Sequence, residues 1–532
     1  MGHLFWKRSE LLFLILYAVT FYVIVIQRSL YLSHDHSREL YSLRRGWMFN
    51  HLNDLSDAQW RNFHGNLPIL TNLPILTFVF GIFTFGAIAL RNQFNLKGRG
   101  MSVVWFIMSL AYILHLHGAC VVFVLSIASV NFFLAKILAK SKFYLYVLWI
   151  FNISVLLLNR IYEGYSFSLF GNHWAFLDNY RGSFRWQICF NLVVLRMLSF
   201  GCDYHWSLGD SETQFDQKKH IVHCSICSSG KACYHLLQER RLHFCQYSFI
   251  KYLAYLIYAP LYIAGPIVNF NAFASQLDAP QKSRSVVNVV FYGLRWVLCF
   301  GLMETMTHFL YYNAFANSGL WRQFSPLEIF IIGYGVINFM WLKFLLIWRY
   351  FRFWSLVAGI ETIENMPMCL NNCYSLETFW KSWHASFNKW IVRYMYIPLG
   401  GSQKKLFNMW IIFTFVALWH DIEWKLILWA WLTCIFFIPE LVIKSSISSF
   451  TPRSATGKFV LREMSAVAGA VTITCLMVAN LVGYVAGPSG TSLLISRFFR
   501  RDGFPVLGFI FLSFYVAVKL MFHIRDSKQN TK

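Results

Sequence analysis

Phe407-Asn408-Met409-Trp410-Ile411-Ile412-Phe413-Thr414-Phe415-Val416-Ala417-Leu418-Trp419 is an uncharged, mostly apolar run that closes on His420 and then meets Asp421 and Glu423. Similar runs recur along the chain, at Leu11–Ile26, Leu70–Leu90, Ser102–Leu138, Tyr144–Leu158, Trp186–Phe200, Phe249–Phe273 and Val286–Tyr312. They continue at Leu327–Ile347, Trp354–Ile360, Leu426–Ile443, Met464–Val485 and Val506–Phe522. A bilayer crossing takes about 20 residues of helix. Ser102–Leu138 is too long for one crossing and is expected to fold as two, with His115 and His117 near the break.

The 532 residues are 57% hydrophobic and only 13% charged, against about a quarter charged in a soluble domain. The apolar runs are continuous, whereas barrel strands would alternate over about ten residues, so a β-barrel is excluded. The expected fold is an all-α polytopic membrane protein of about ten or more transmembrane and re-entrant helices. The run between Phe249 and Ile360 does not close a strict alternation of sides, which a half-penetrating, broken segment would explain. No repeat or appended soluble domain is visible, so residues 1–532 read as one membrane-embedded domain. Lys7 and Arg8 precede the first run and no small-residue cleavage site follows, which reads as a retained first helix with a cytosolic start.

The net charge is +23. In so apolar a chain this excludes nucleic-acid binding as the main role and points to basic cytosolic loops, Arg91–Arg99, Lys140–Lys142, Lys218–Arg241 and Lys381–Lys405. Part of the charge is available to an anionic substrate or headgroup. The 12 cysteines form no regular disulfide framework. The stretch His223-Cys224-x-x-Cys227, Cys233-x-His235 and His243-x-Cys245 leaves two readings open. Cys224, Cys227, Cys233 and Cys245 are zinc ligands or membrane-proximal acylation sites. The Asp-His-His-Cys motif of protein S-acyltransferases is absent.

The residues that carry chemistry lie in the loop Glu361–Leu406 and at His420. An ionisable side chain at the end of an apolar segment is a functional-site hypothesis by default. A neutral imidazole there suits a general base. In the loop, Trp380, His384 and Asn388 recur every four residues and would share one helix face. Lys381, Lys389, Arg393, Lys404 and Lys405 would attract phosphates. Pro398-Leu399-Gly400-Gly401 must end the helix and turn the chain. An interfacial helix with aromatic anchors and basic flanks fits the same spacing. Within other apolar runs, Arg196 stands alone, while Glu304 and His308 are spaced to satisfy each other.

Taken together, Phe379-Trp380-Lys381-Ser382-Trp383-His384, Arg393-Tyr394-Met395-Tyr396-Ile397-Pro398-Leu399-Gly400-Gly401-Ser402 and the apolar histidine His420 resemble the membrane-bound O-acyltransferase family. Tyr258-Ala259-Pro260-Leu261-Tyr262-Ile263-Ala264-Gly265-Pro266-Ile267, and more weakly Leu55–Pro68, match the branch that holds the glycerol-uptake proteins and the Hedgehog acyltransferase. The resemblance implies a helical bundle around an acyl tunnel, acyl-CoA as co-substrate, and an endoplasmic reticulum membrane location. It implies His420 as general base, with His384, at a position where the family carries Asn, Asp or His, or Asn388 holding the acyl carbonyl. The Hedgehog acyltransferase has Asp in place of His384, which weakens transfer of its peptide specificity and favours a lipid acceptor. The same resemblance implies a haem on Cys369. The donor is already activated, so the chemistry calls for no metal. The alternatives are a protein acyltransferase that palmitoylates a secreted protein, and a polyol transporter or its regulator. A transporter is disfavoured because no paired broken segments are visible.

Overall fold

The computed structural model describes residues 2–65, 73–209, 217–280, 285–448, 454–483 and 487–530. Residues 66–68 of the Leu55–Pro68 stretch, Leu70, Val485, residues 531–532 and the side chains of Lys7, Arg8 and Lys218 lie outside the described set. Among the described residues, ten helices are long and apolar enough to cross a bilayer, and the only sheet is a small hairpin pairing Arg44–Arg45 with Leu52–Asn53. The chain is therefore the all-α, multi-pass bundle the composition requires.

The expected break in Ser102–Leu138 falls between helices Gly98–His117 and Val121–Leu138. Gly118 makes the turn at φ +57°, with Tyr180 O lying 2.1 Å from where a Cβ would sit, so no larger residue fits. His117 is buried beside it. Its Nδ1 meets Phe184 O at 2.8 Å and its Nε2 meets Tyr262 Oη at 3.0 Å.

Two expected spans merge. Leu327–Ile347 and Trp354–Ile360 belong to one helix, Pro326–Val357, opened by a capping box of Ser325 and Glu328. The charges between them do not mark an end, because Arg349 and Arg352 both pair with Glu364 (3.4 and 3.3 Å) and Arg352 also donates to Thr362 O. Held by one shared carboxylate and by loop carbonyls, they stay inside the helix.

The expected span Phe249–Phe273 is instead three short helices, Phe249–Ile257, Ala259–Tyr262 and Phe270–Asp278. Pro260 and Pro266 supply no N–H, so helical pairing cannot continue through them. The carbonyl of Leu256, left without a helical donor by Pro260, accepts from Arg196, Leu261 O accepts from Arg196 as well as from Gly265 N, and Ala259 N donates to Ser109 Oγ at 3.0 Å. Arg196 thus satisfies the break from the next helix. That helix, Trp186–Leu208, is buried over most of its length and packs against Val121–Leu138, Tyr144–Ile161 and Phe249–Ile257. A helix buried on every side belongs at the centre of the bundle.

Candidate active site

The motif loop is fastened from both ends. Helix Leu376–Ser382 begins where Glu440, from helix Trp424–Ser448, accepts from Leu376 N and Ser375 Oγ, each at 2.7 Å. Trp380 then packs edge-on against Phe413 and Trp429 (5.4 and 5.5 Å between ring centres), joining the loop to the helix that carries His420. The next helix, Ala385–Ile391, starts on Asn365: its carbonyl accepts from Ala385 N and its Oδ1 from Ser386 N, both at 3.0 Å.

Between these helices His384 has a left-handed backbone, φ 49° and ψ 51°. The expectation that Trp380, His384 and Asn388 share one helix face therefore fails. The helix stops at Ser382, because the left-handed residue interrupts its hydrogen bonding and re-aims the side chain. The turned imidazole is buried, stacked on Trp348 at 4.4 Å and 11°, beside Phe387 at 5.2 Å and Trp419 at 6.4 Å. Its Nε2 has no hydrogen-bond partner among the described residues. Burial, helped by repulsion from nearby His420, pushes the His384 imidazole down to about 3, so it is neutral at physiological pH. Asn388 follows one turn on, half-buried, with its N–H on His384 O at 3.0 Å.

His420 is the last residue of helix Lys405–His420. Its imidazole meets Trp419 at 4.8 Å and Trp429 at 6.5 Å. The residue is exposed at the end of its helix. The last carbonyls of a helix need outside donors. Here Arg160 donates to His420 O at 2.6 Å and faces Asp421 at 3.5 Å. Asn191 donates to Trp419 O at 2.7 Å and accepts from Trp419 Nε1 at 2.9 Å. The Trp419 indole thus lies against both histidines. An apolar cavity of about 600 Å³, lined by Leu156, Trp410, Thr414, Phe415, Leu418 and Trp431 among others, runs along this helix.

The predicted phosphate ligands divide. Lys389, Lys404 and Lys405 are exposed, and Lys381 is exposed but shares Glu377 with Lys444. Arg393 is different. It is mostly buried, bridges Glu239 and Asp203 (3.4 Å to the latter), and lies over the Trp206 ring. It is an internal ion-pair residue and has no free face for a phosphate. Tyr394 beside it donates to Asp203 at 3.0 Å and accepts from Asn269 Nδ2 at 2.7 Å, while Ile267 N donates to Ser386 Oγ. The Pro-Gly stretch around Pro260 and the motif loop are therefore bonded to each other. The Pro398–Gly401 turn forms as expected, with Gly400 and Gly401 at positive φ.

Cys369 opens onto a cavity of about 390 Å³ whose lining holds no Lys, Arg or His. No cationic side chain there would pair two propionates. The residues present do not fit a haem, and no step runs through one. Glu304 and His308 do associate, with a carboxylate-to-Nδ1 distance of 3.9 Å, and are joined by His64 and Trp47, each 2.8 Å from the carboxylate. Spacing alone pointed to neither of these partners. Asn365, Trp348, Arg160 and Asn191 also escaped the sequence reading. Each contributes through a long-range contact with no local pattern.

A helical membrane bundle that sets two imidazoles about one indole, beside an apolar cavity and a basic loop, has the elements of a membrane transferase for apolar groups. Residues 147–481 match the membrane-bound O-acyltransferase family, and the chain belongs to that family. The membrane-bound O-acyltransferase gup1 of Schizosaccharomyces pombe is 35% identical over 504 residues, covering 92% of this chain and 82% of that relative. The Saccharomyces cerevisiae GUP1 protein of the same description is 33% identical, over 98% of this chain and 92% of its own length. The protein-cysteine N-palmitoyltransferase HHAT of Mus musculus is 25% identical over 50% of this chain and 56% of its own. The protein is thus a multi-pass membrane acyltransferase that takes acyl-CoA as donor, in keeping with the resemblance drawn from its motifs.

Proposed function

We propose that this enzyme moves a long-chain acyl group from acyl-CoA to a lipid hydroxyl, that of a lysolipid or a glycosylphosphatidylinositol-anchor lipid, in the endoplasmic reticulum membrane. The observation that carries the proposal is the pair of imidazoles on Trp419, with accessible His420 ending an apolar helix and neutral His384 beside it. In this reading the whole chain, 1–532, is one catalytic unit and 361–406 its reaction loop. Lys389, Lys404 and Lys405, with Lys381 at the edge, attract the phosphates of CoA from the cytosol. The acyl chain lies in the cavity along Lys405–His420. His420 accepts the acceptor's hydroxyl proton as oxygen attacks the thioester carbonyl. His384 or Asn388 holds the carbonyl oxygen. The C–S bond breaks, and the CoA thiolate recovers the proton from His420. Alignment of the two substrates supplies much of the rate.

The match to relatives named O-acyltransferases over most of both chains favours a hydroxyl acceptor over the protein-cysteine N-acceptor of the shorter-matching palmitoyltransferase. The test is transfer of labelled acyl-CoA in microsomes from cells expressing wild type or His420→Ala, with lipid and protein fractions counted separately. The variant is expected to lose about 10²- to 10⁴-fold in lipid labelling. Equal incorporation by both proteins in every fraction removes His420 from the chemistry. Labelling of protein alone assigns the other acceptor, and glycerol uptake that survives His420→Ala would favour transport.

A further inference from the structure

We propose that His220, Cys224, Cys227 and Cys233 form a structural zinc site that stiffens the segment lying behind the reaction loop. One donor atom from each of the four residues lies within 4.8 Å of the other three, and His220 Nε2 is 3.2 Å from Cys233 Sγ. In a tetrahedral site with Zn–S near 2.3 Å and Zn–N near 2.0 Å, neighbouring donors stand about 3.4–3.8 Å apart. Donors at the 4.8 Å limit need to close by about 1 Å around the ion, while His220 and Cys233 are already as near as the site requires.

The local backbone is built as a metal-binding turn. His220 lies one helical turn before Cys224, whose N–H bonds to His220 O at 2.9 Å. From Cys224 the chain folds back on itself: Ser228 N meets Cys224 O at 2.8 Å and Gly230 N meets Cys227 O at 3.1 Å. Gly230, at φ +78°, makes the reversal. Cys233 then enters from the next strand of the turn, with Leu236 N on its sulfur at 3.4 Å. This selects differently from the raw spacing. His223 turns back to Lys219 O, and Cys245 is exposed and outside the cluster. His235 stacks on His220 at 5.3 Å as a flanking ring.

The segment also has need of a cross-link. Between His220 and Gln246, the buried side chains among the described residues are Cys227, Cys233 and Leu237, while Ile221, Val222 and Ile226 are exposed. So few buried groups cannot hold an independent fold, and an ion is the usual substitute. All the described cysteines are free thiols. Zinc would take three of them as thiolates, releasing their protons to water with no change of oxidation state. What the ion would steady is within reach of the motif loop. Helix Tyr234–Glu239 starts at Cys233, Glu239 pairs with Arg393, and Tyr234 Oη donates to Asn269 at 3.2 Å, which in turn bonds Tyr394.

The experiment is elemental analysis of the full chain, purified in detergent without chelators. One zinc per chain is expected, with loss of that zinc in Cys227→Ser and Cys233→Ser and its retention in Cys245→Ser. Exchange of the wild-type protein with Co²⁺ gives a readout that does not depend on variants accumulating. Three thiolates predict sulfur-to-cobalt charge-transfer absorption and intense visible bands of tetrahedral Co²⁺. Well under one zinc per chain with no such bands overturns the proposal. So does a disulfide or a thioester-linked acyl chain found on Cys224, Cys227 or Cys233 by mass spectrometry.

Discussion

Arg393→Met separates a structural from a substrate-binding role for the most buried cation of the motif loop. The Arg393 side chain is 13% exposed, and Asp203 on the other side of the pair is fully buried. Removing one partner of a buried pair costs about 3–5 kcal/mol, because the charge left behind has lost its compensation. Two donors stay on Asp203, Tyr394 Oη at 3.0 Å and Asn271 N at 3.3 Å, and Glu239 keeps some access to water. These place the cost near the lower bound, about 3 kcal/mol. With an unfolding entropy of about 2.1 cal/mol/K per residue, a chain of 532 residues loses roughly 3 °C in Tm. The assay is a heat challenge in detergent followed by size-exclusion recovery and tryptophan fluorescence. Adding Asp203→Asn to Arg393→Met removes the stranded charge and should recover part of the loss. A Tm unchanged in Arg393→Met, together with a raised KM for acyl-CoA, refutes this reasoning and returns Arg393 to the phosphate site.

The double variant Lys404→Ala/Lys405→Ala should leave Tm and kcat unchanged and raise KM for acyl-CoA by about 2- to 30-fold, an effect that fades with added salt, since each exposed charge is worth about 0.2–1 kcal/mol. His384→Gln should lower kcat while the pH–rate profile between about pH 5 and 8 keeps its shape, because His384 is already neutral at about pH 5 with its proton equilibrium near 3. A lost ionisation in that window would contradict its buried position. Arg196→Met deprives the carbonyl of Leu256 of its donor, at about 1–3 kcal/mol, leaves Leu261 O with Gly265 N alone, and should reduce recovery of monodisperse protein from membranes.

Hydropathy and length made the crossings legible, because each outer helix needs only an apolar run to exist. What they could not show was how charges inside an apolar segment would be compensated. Arg349 and Arg352 separate two apolar runs in the sequence, but Glu364, on the following loop, pairs with both and the helix runs on. Phe249–Phe273 reads as one apolar run, yet Pro260 and Pro266 break it, and the residue that makes the break tolerable, Arg196, comes from another helix. The same division holds at the site. The apolar setting of His420 and the motif order around His384 were readable one residue at a time. The cap that Arg160 and Asn191 place on the helix end was not, since neither follows a spacing rule. The regular spacing of Trp380, His384 and Asn388 misled, because a periodic pattern says nothing of a single left-handed residue within it.

That left-handed residue bears on how such an enzyme diversifies. A non-glycine residue at φ 49° is uncommon, and Asn, Asp and His are the side chains enriched there. These are the same three residue types that the family resemblance places at this position. The backbone thus defines a short alphabet of interchangeable polar groups, one acidic, one amide and one imidazole, any of which is accommodated without rebuilding the turn. Lineages can trade charge and hydrogen-bonding character at position 384 by a single codon change while the surrounding helices stay as they are.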